Sequence, residues 1–130
     1  MRVLPQVPPG SGGDVMTHEE SKLQQACVRW FRLQYPKYAR LLFAVPNGGG
    51  RSKVEAAILK GEGVVAGVAD LLLLVPTQKH PYLCIEMKTP KGRQSPAQRD
   101  WQREVEAVGA VYKVCRSLEE FMQIVNDYVD

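Results

Sequence analysis

The sequence has only three cysteines and no long apolar run, and neither sign of charge dominates it. Cys27, Cys84 and Cys115 are odd in number and far apart along the chain, with no Cys-x-x-Cys pair. That excludes a zinc ribbon or a disulfide framework and suits reduced core thiols in a cytosolic compartment. The longest wholly apolar stretch lies near Leu71–Val75, well short of the ~18 residues of a membrane helix. The start, from Met1-Arg2-Val3-Leu4-Pro5 on, is too rich in proline and glycine for a signal peptide, so a cytoplasmic location is expected. There is no Walker lysine, and Gly61-x-Gly63-x-x-Ala66 matches the dinucleotide fingerprint in letters only. A helix pattern precedes it and a strand pattern follows, the reverse of what a pyrophosphate needs, so no nucleotide cofactor is expected. His18 and His80 stand alone, without metal-ligand spacing.

What is present is the composition of one globular domain. The chain has 130 residues, 45% hydrophobic and 24% charged, with a net charge of +3. That charge permits a nucleic-acid partner without demanding one. Residues 1–16, with Pro5, Pro8 and Pro9 followed by Gly10-Ser11-Gly12-Gly13, read as an extended arm, with 17–130 as the folded domain. Thr17-x-x-Glu20 forms a capping box, and Leu23, Ala26, Cys27, Trp30 and Phe31 follow the spacing of a buried helix face up to Tyr35-Pro36. Leu41–Val45 predicts a short strand. After the glycine-rich loop 47–51, Ser52-x-x-Glu55 caps a helix that Gly61 is expected to stop. Leu71–Val75 and Tyr82–Lys88 predict two strands joined by a connection short enough to favour an antiparallel hairpin. Ser95-Pro96-x-Gln98 opens a third helix that ends at Gly109, Ala110–Cys115 is a strand, and Ser117 caps the last helix. The predicted order is α-β-α-β-β-α-β-α, a single mixed α/β layer structure.

The chemistry lies in charges that interrupt strands. Asp70 stands at the mouth of an aliphatic run, and Glu86 and Lys88 break an otherwise buried strand. In an antiparallel hairpin, opposed residues have numbers of constant sum; a sum of 156 sets Asp70 opposite Glu86 and 158 opposite Lys88, and both bring the three side chains to one face within roughly 5–8 Å. An odd register sends Asp70 to the other face and dissolves the cluster. Two juxtaposed carboxylates repel unless a cation joins them, and oxygen ligands without His or Cys suit Mg²⁺ or Mn²⁺. A lysine one alternation on can orient water or stabilise charge on a phosphate. The plainer alternative is a salt bridge at a sheet edge. Glu20 borders the apolar stripe of the first helix and could reach such a site, as could Glu19 on the other border. Glu20 and Gln98 are equally capping-box partners, of Thr17 and Ser95.

With these residues assembled, the chain resembles the VRR-NUC domain, a branch of the PD-(D/E)XK nuclease superfamily, over roughly residues 18–127. The resemblance rests on Glu20-x-x-x-Gln24, Gly67-Val68-Ala69-Asp70-Leu71, Glu86-Met87-Lys88 and Ser95-x-x-Gln98, in that order. It implies a restriction-endonuclease-like mixed sheet flanked by helices. It also implies Mg²⁺ or Mn²⁺ held by Asp70, Glu86, the Met87 carbonyl and Glu20, with Lys88 activating water and Gln98 and Gln24 in support. Ala69 replaces the proline that often precedes the aspartate, which leaves the entry to the strand less constrained. Small stand-alone members resemble Holliday-junction resolvases. The expected activity is therefore metal-dependent endonuclease cleavage of branched DNA by a homodimer. The rival readings are a non-catalytic DNA-binding or assembly module of the same fold, and a flap or nicking nuclease. Arg51, Lys53, Lys91 and Arg93, with Arg99 and Arg103, are candidate phosphate contacts or simply a solvated basic rim.

Overall fold

The computed structural model describes residues 16–46 and 52–130. Helix α1 spans His18–Gln34 and is followed by a single 3₁₀ turn at Pro36–Tyr38 and by strand β1, Leu42–Ala44. Helix α2 is Lys53–Gly61, and strands β2 (Leu71–Leu73) and β3 (Leu83–Met87) form the hairpin. Helix α3 (Pro96–Ala107), strand β4 (Val111–Cys115) and helix α4 (Leu118–Val129) complete the chain. This is the order read from the sequence. The expected arm, apart from Met16, and the loop carrying Arg51 lie outside the described residues; Met16 itself packs against the core.

Local chemistry sets the helix ends. Reciprocal capping boxes open α1 (Thr17 with Glu20), α2 (Ser52 with Glu55) and α3 (Ser95 with Gln98). The expected stop at Gly61 is displaced: Gly61 is the last helical residue, Glu62 is the cap, and Gly63 takes the left-handed conformation with φ of 107°. Gly61 is one residue too early because the final turn still closes through the Glu62 amide onto Ile58 and Leu59.

The sheet order is β1-β2-β3-β4, antiparallel except for the parallel pair β3–β4. The connection through α3 carries the chain back for that parallel pairing. One face, with Leu71, Leu73, Leu83, Ile85 and Met87, packs with Cys27 and Phe31 of α1 and Phe121 and Val125 of α4. Each large aliphatic or aromatic side chain fully buried there contributes about 1.5–3 kcal/mol. The other face, with Ala69, Cys84 and Tyr112, packs against Val105 and Trp101 of α3. Strand β3 is thus covered on both sides, and all its residues are buried. The three cysteines are free and buried, as expected for core thiols. Cys27 and Cys115, distant in sequence, meet in the core through a hydrogen bond that raises the Cys27 thiol and lowers that of Cys115.

Candidate active site

The hairpin register decides whether the charged residues meet. Leu71 pairs with Ile85 and Leu73 with Leu83, so the constant sum is even and Asp70 falls opposite Glu86. Asp70, Glu86 and Lys88 therefore share the α3-facing side of the sheet, at the end where β2 begins and β3 stops. The ladder ends at Leu71, which would leave the Met87 amide without a strand partner. The Asp70 carboxylate takes that place, Oδ2 accepting from the Met87 N–H at 2.7 Å. The Met87 carbonyl lies on the same side of the extended chain as its amide, the side of β2.

All three ionic side chains are withdrawn from water: Asp70 is 8% exposed, Glu86 1% and Lys88 3%. Buried charge is costly unless it is paired and hydrogen-bonded, and here it is. Lys88 Nζ lies 3.9 Å from Glu86 Oε2. Gln98, at the N-terminus of α3, donates its Nε2 to Glu86 Oε2 at 2.9 Å, and Tyr112 of β4 donates its hydroxyl to Oε1 at 3.0 Å. Gln98 thus does both things the sequence left open, since its Oε1 also closes the capping box on Ser95 at 2.8 Å.

The two carboxyl groups face each other closely enough to act on one another's protonation, the contact lowering Asp70 and raising Glu86. Burial, and then the facing Asp70 charge, push the Glu86 carboxyl up to about 9. Burial also raises Asp70, against the opposing pull of its contact with Glu86 and its hydrogen bond from the Met87 amide. Burial and mutual repulsion thus drive both carboxyls toward the neutral form unless a cation lies between them. Two facing carboxylates with a backbone carbonyl beside them form a hard oxygen donor set that fits Mg²⁺ or Mn²⁺.

Glu20 reaches the site differently from its expected partners. Helix α1 packs on the opposite face of the sheet from α3, so Glu20 approaches around the sheet's end. It is buried, and it lines a small cleft with Glu19, Leu23, Lys88, Thr89, Pro90 and Arg116. Its charge is felt at Asp70, while its Oε1 accepts the Thr17 amide at 2.9 Å. Glu19 is exposed, although it borders the same cleft. Among the described residues no three His, Cys, Asp or Glu side chains converge on one point, so Glu20 does not close a three-carboxylate cage with Asp70 and Glu86. One turn along α1, Gln24 is half-buried, and its Oε1 is enclosed without a hydrogen-bond partner.

Backbone geometry ties these parts together. Gly67 has φ of 85°, and a Cβ there would sit 2.3 Å from the Ala97 carbonyl oxygen. Only glycine lets the segment entering Asp70 lie against the first turn of α3, which carries Gln98. The loop after Lys88 is gripped by Arg116, whose guanidinium donates to the carbonyls of Thr89 and Gly92, each at 2.7 Å. Lys91 and Arg93 on that loop, and Arg99 on α3, are exposed at the same end of the sheet. Lys53 is exposed at the start of α2, and Arg103 is ion-paired with Asp100. Trp101 packs edge-on to Tyr112 at 6.1 Å rather than presenting a stacking platform. Tyr112, Arg116 and Gln94 were not among the site residues read from sequence, because the parallel β3–β4 pairing that delivers the first two is long-range.

The fold is shared with a solved structure described as a VRR_NUC domain protein. The TM-score is 0.75 at 22% sequence identity, over 88% of this chain and 91% of that one. The VRR-NUC domain family matches residues 14–119, and the chain belongs to that family of nuclease domains. No curated protein matches it significantly.

Proposed function

We propose that the protein is a metal-dependent, structure-specific endodeoxyribonuclease that hydrolyses phosphodiesters in branched DNA, with four-way junctions its preferred class and a homodimer its working form. The observation that carries the reading is the buried facing pair Asp70–Glu86 with Lys88 beside it, in a chain of a nuclease family. Asp70, Glu86 and the Met87 carbonyl would hold Mg²⁺ or Mn²⁺, with Glu20 bordering the approach. The ion, when bound, supplies Lewis-acid polarisation of the scissile phosphate. Lys88 orients the attacking water and offsets negative charge that builds on the phosphate oxygens. Gln98 holds Glu86 in place. Lys91, Arg93 and Arg99 neutralise flanking phosphates without reading bases. A two-fold pair of sites matches the symmetry of a junction.

The test is incubation of four-way, flap, single-stranded and linear duplex DNA with Mg²⁺ or with EDTA, resolved by strand on denaturing gels. Paired symmetric nicks in junction DNA, dependent on Mg²⁺, are expected. Flap-restricted cuts would reassign the substrate, and binding without any metal-dependent product would favour the non-catalytic module.

A further inference from the structure

Glu86 is the most deeply buried of the ionic side chains at the site, and the plane of its carboxylate decides which lone pairs face Asp70. Two neutral donors from different elements set that plane. One is Gln98 on α3, a motif residue. The other is Tyr112 on β4, where Cys84 pairs with Tyr112 and Glu86 with Val114. That register places Tyr112 one alternation from Glu86 on the same sheet face, within reach of Oε1.

The proton on the Tyr112 hydroxyl has a defined direction. Gln94 Nε2 donates to the Tyr112 oxygen at 3.3 Å and also to Gln102 Oε1 at 2.9 Å. With Gln94 donating to the phenol oxygen, the single hydroxyl proton is aimed at Glu86. The ring is 4% exposed and fixed against Trp101, so the hydroxyl has little freedom to swing away. Gln94 closes the segment that carries Lys91 and Arg93, and its own carbonyl accepts from Arg99 Nη1 at 2.9 Å. A continuous relay therefore runs from the basic segment through Gln94 and Tyr112 to the metal-facing carboxylate.

We infer that Tyr112, oriented by Gln94, is a positioning residue that locks the Glu86 carboxylate in the orientation that meets a divalent cation. The inference rests on the reading that Asp70 and Glu86 hold that cation. Removing the hydroxyl leaves the buried Oε1 without its donor and frees the carboxylate to rotate. Outer-sphere partners of this kind typically govern metal affinity by ~10–100-fold.

The experiment is calorimetric titration of Mn²⁺ into the full-length metal-free protein without DNA, for wild type, Tyr112→Phe and Gln94→Leu. Phe keeps the ring against Trp101, and circular dichroism checks the fold of each variant. Tyr112→Phe is expected to weaken Mn²⁺ binding about tenfold, with Gln94→Leu a smaller loss and the double variant no worse than Tyr112→Phe alone. Cleavage by Tyr112→Phe should recover toward the wild-type rate at saturating Mg²⁺, a change in metal requirement that a merely structural lesion would not produce. Mn²⁺ affinity within twofold of wild type in Tyr112→Phe overturns the inference and leaves the nuclease reading standing. A wild-type protein that binds no Mn²⁺ overturns both. Should Tyr112→Phe not fold, an unaltered affinity in Gln94→Leu overturns the relay by itself.

Discussion

Asp70 lies directly across the β2–β3 ladder from Glu86, one position beyond the last paired strand residues, and its carboxylate replaces a strand carbonyl on the Met87 amide. One side chain thereby terminates the ladder and turns an acidic group toward its neighbour. Removing it alters both functions.

Asp70→Asn retains a carbonyl oxygen for the Met87 amide but removes the charge facing Glu86. DNA cleavage should be abolished, while the melting temperature in EDTA should rise only near and above pH 9, where both carboxyls of the wild-type pair would be charged and the variant has lost one of two like charges. Lys88→Ala should lower the cleavage rate by ~100-fold or more with DNA binding nearly intact. Wild-type cutting by either variant in Mg²⁺ would remove these residues from the chemistry.

The metal-free protein should lose stability as pH rises. Glu86 has a folded-state value of about 9 against an ordinary 4.5, so the folded state binds the extra proton. Its stabilisation is fully present below the ordinary value and is lost as pH climbs toward 9. Melting curves in EDTA should therefore fall across that window, more weakly in Asp70→Asn. Mg²⁺ should flatten the fall at the alkaline end, because the ion takes the proton's place. A melting temperature that rises from pH 5 to 9 without metal would contradict the buried proton.

Gly67→Ala forces a methyl group into the Ala97 carbonyl and a left-handed backbone onto an L-residue. The combined cost should be about 2–4 kcal/mol in denaturant titrations. Because the displaced turn carries Gln98, the surviving folded fraction should also cleave poorly. A variant as stable as wild type would show that this contact relaxes freely.

Glu20 can be assigned by two substitutions. Glutamine at this position still closes the capping box, so Glu20→Gln should leave stability within about 0.5 kcal/mol, whereas Glu20→Ala should lose about 1 kcal/mol. Cleavage by Glu20→Gln should fall about tenfold through loss of charge beside the site. Unchanged cleavage would confine Glu20 to the helix start.

Much of this was legible in sequence because it is local. Capping boxes are read from residues three apart, and the reciprocal contacts at Thr17, Ser52 and Ser95 follow. The hairpin narrowed the position of Asp70 to a parity, but the turn between Pro76 and Pro81 does not choose that parity from composition; packing of Leu71, Leu73 and Ile85 into the α1–α4 core does. Strand β2 is shorter than its apolar run: it stops at Leu73, and Leu74, although its amide still donates to the Leu41 carbonyl, is 47% exposed. Tyr112 and Arg116 went unseen because a parallel crossover through α3 carries no register signal in the chain.

Helix α2 has no buried residue, and Val54 and Ile58 on it are 69% and 55% exposed. A nine-residue helix without such anchorage is marginal in water, so its amides should exchange with solvent orders of magnitude faster than those of β3. This span should unravel and re-form independently of the sheet, giving the molecule one quickly adjustable flank.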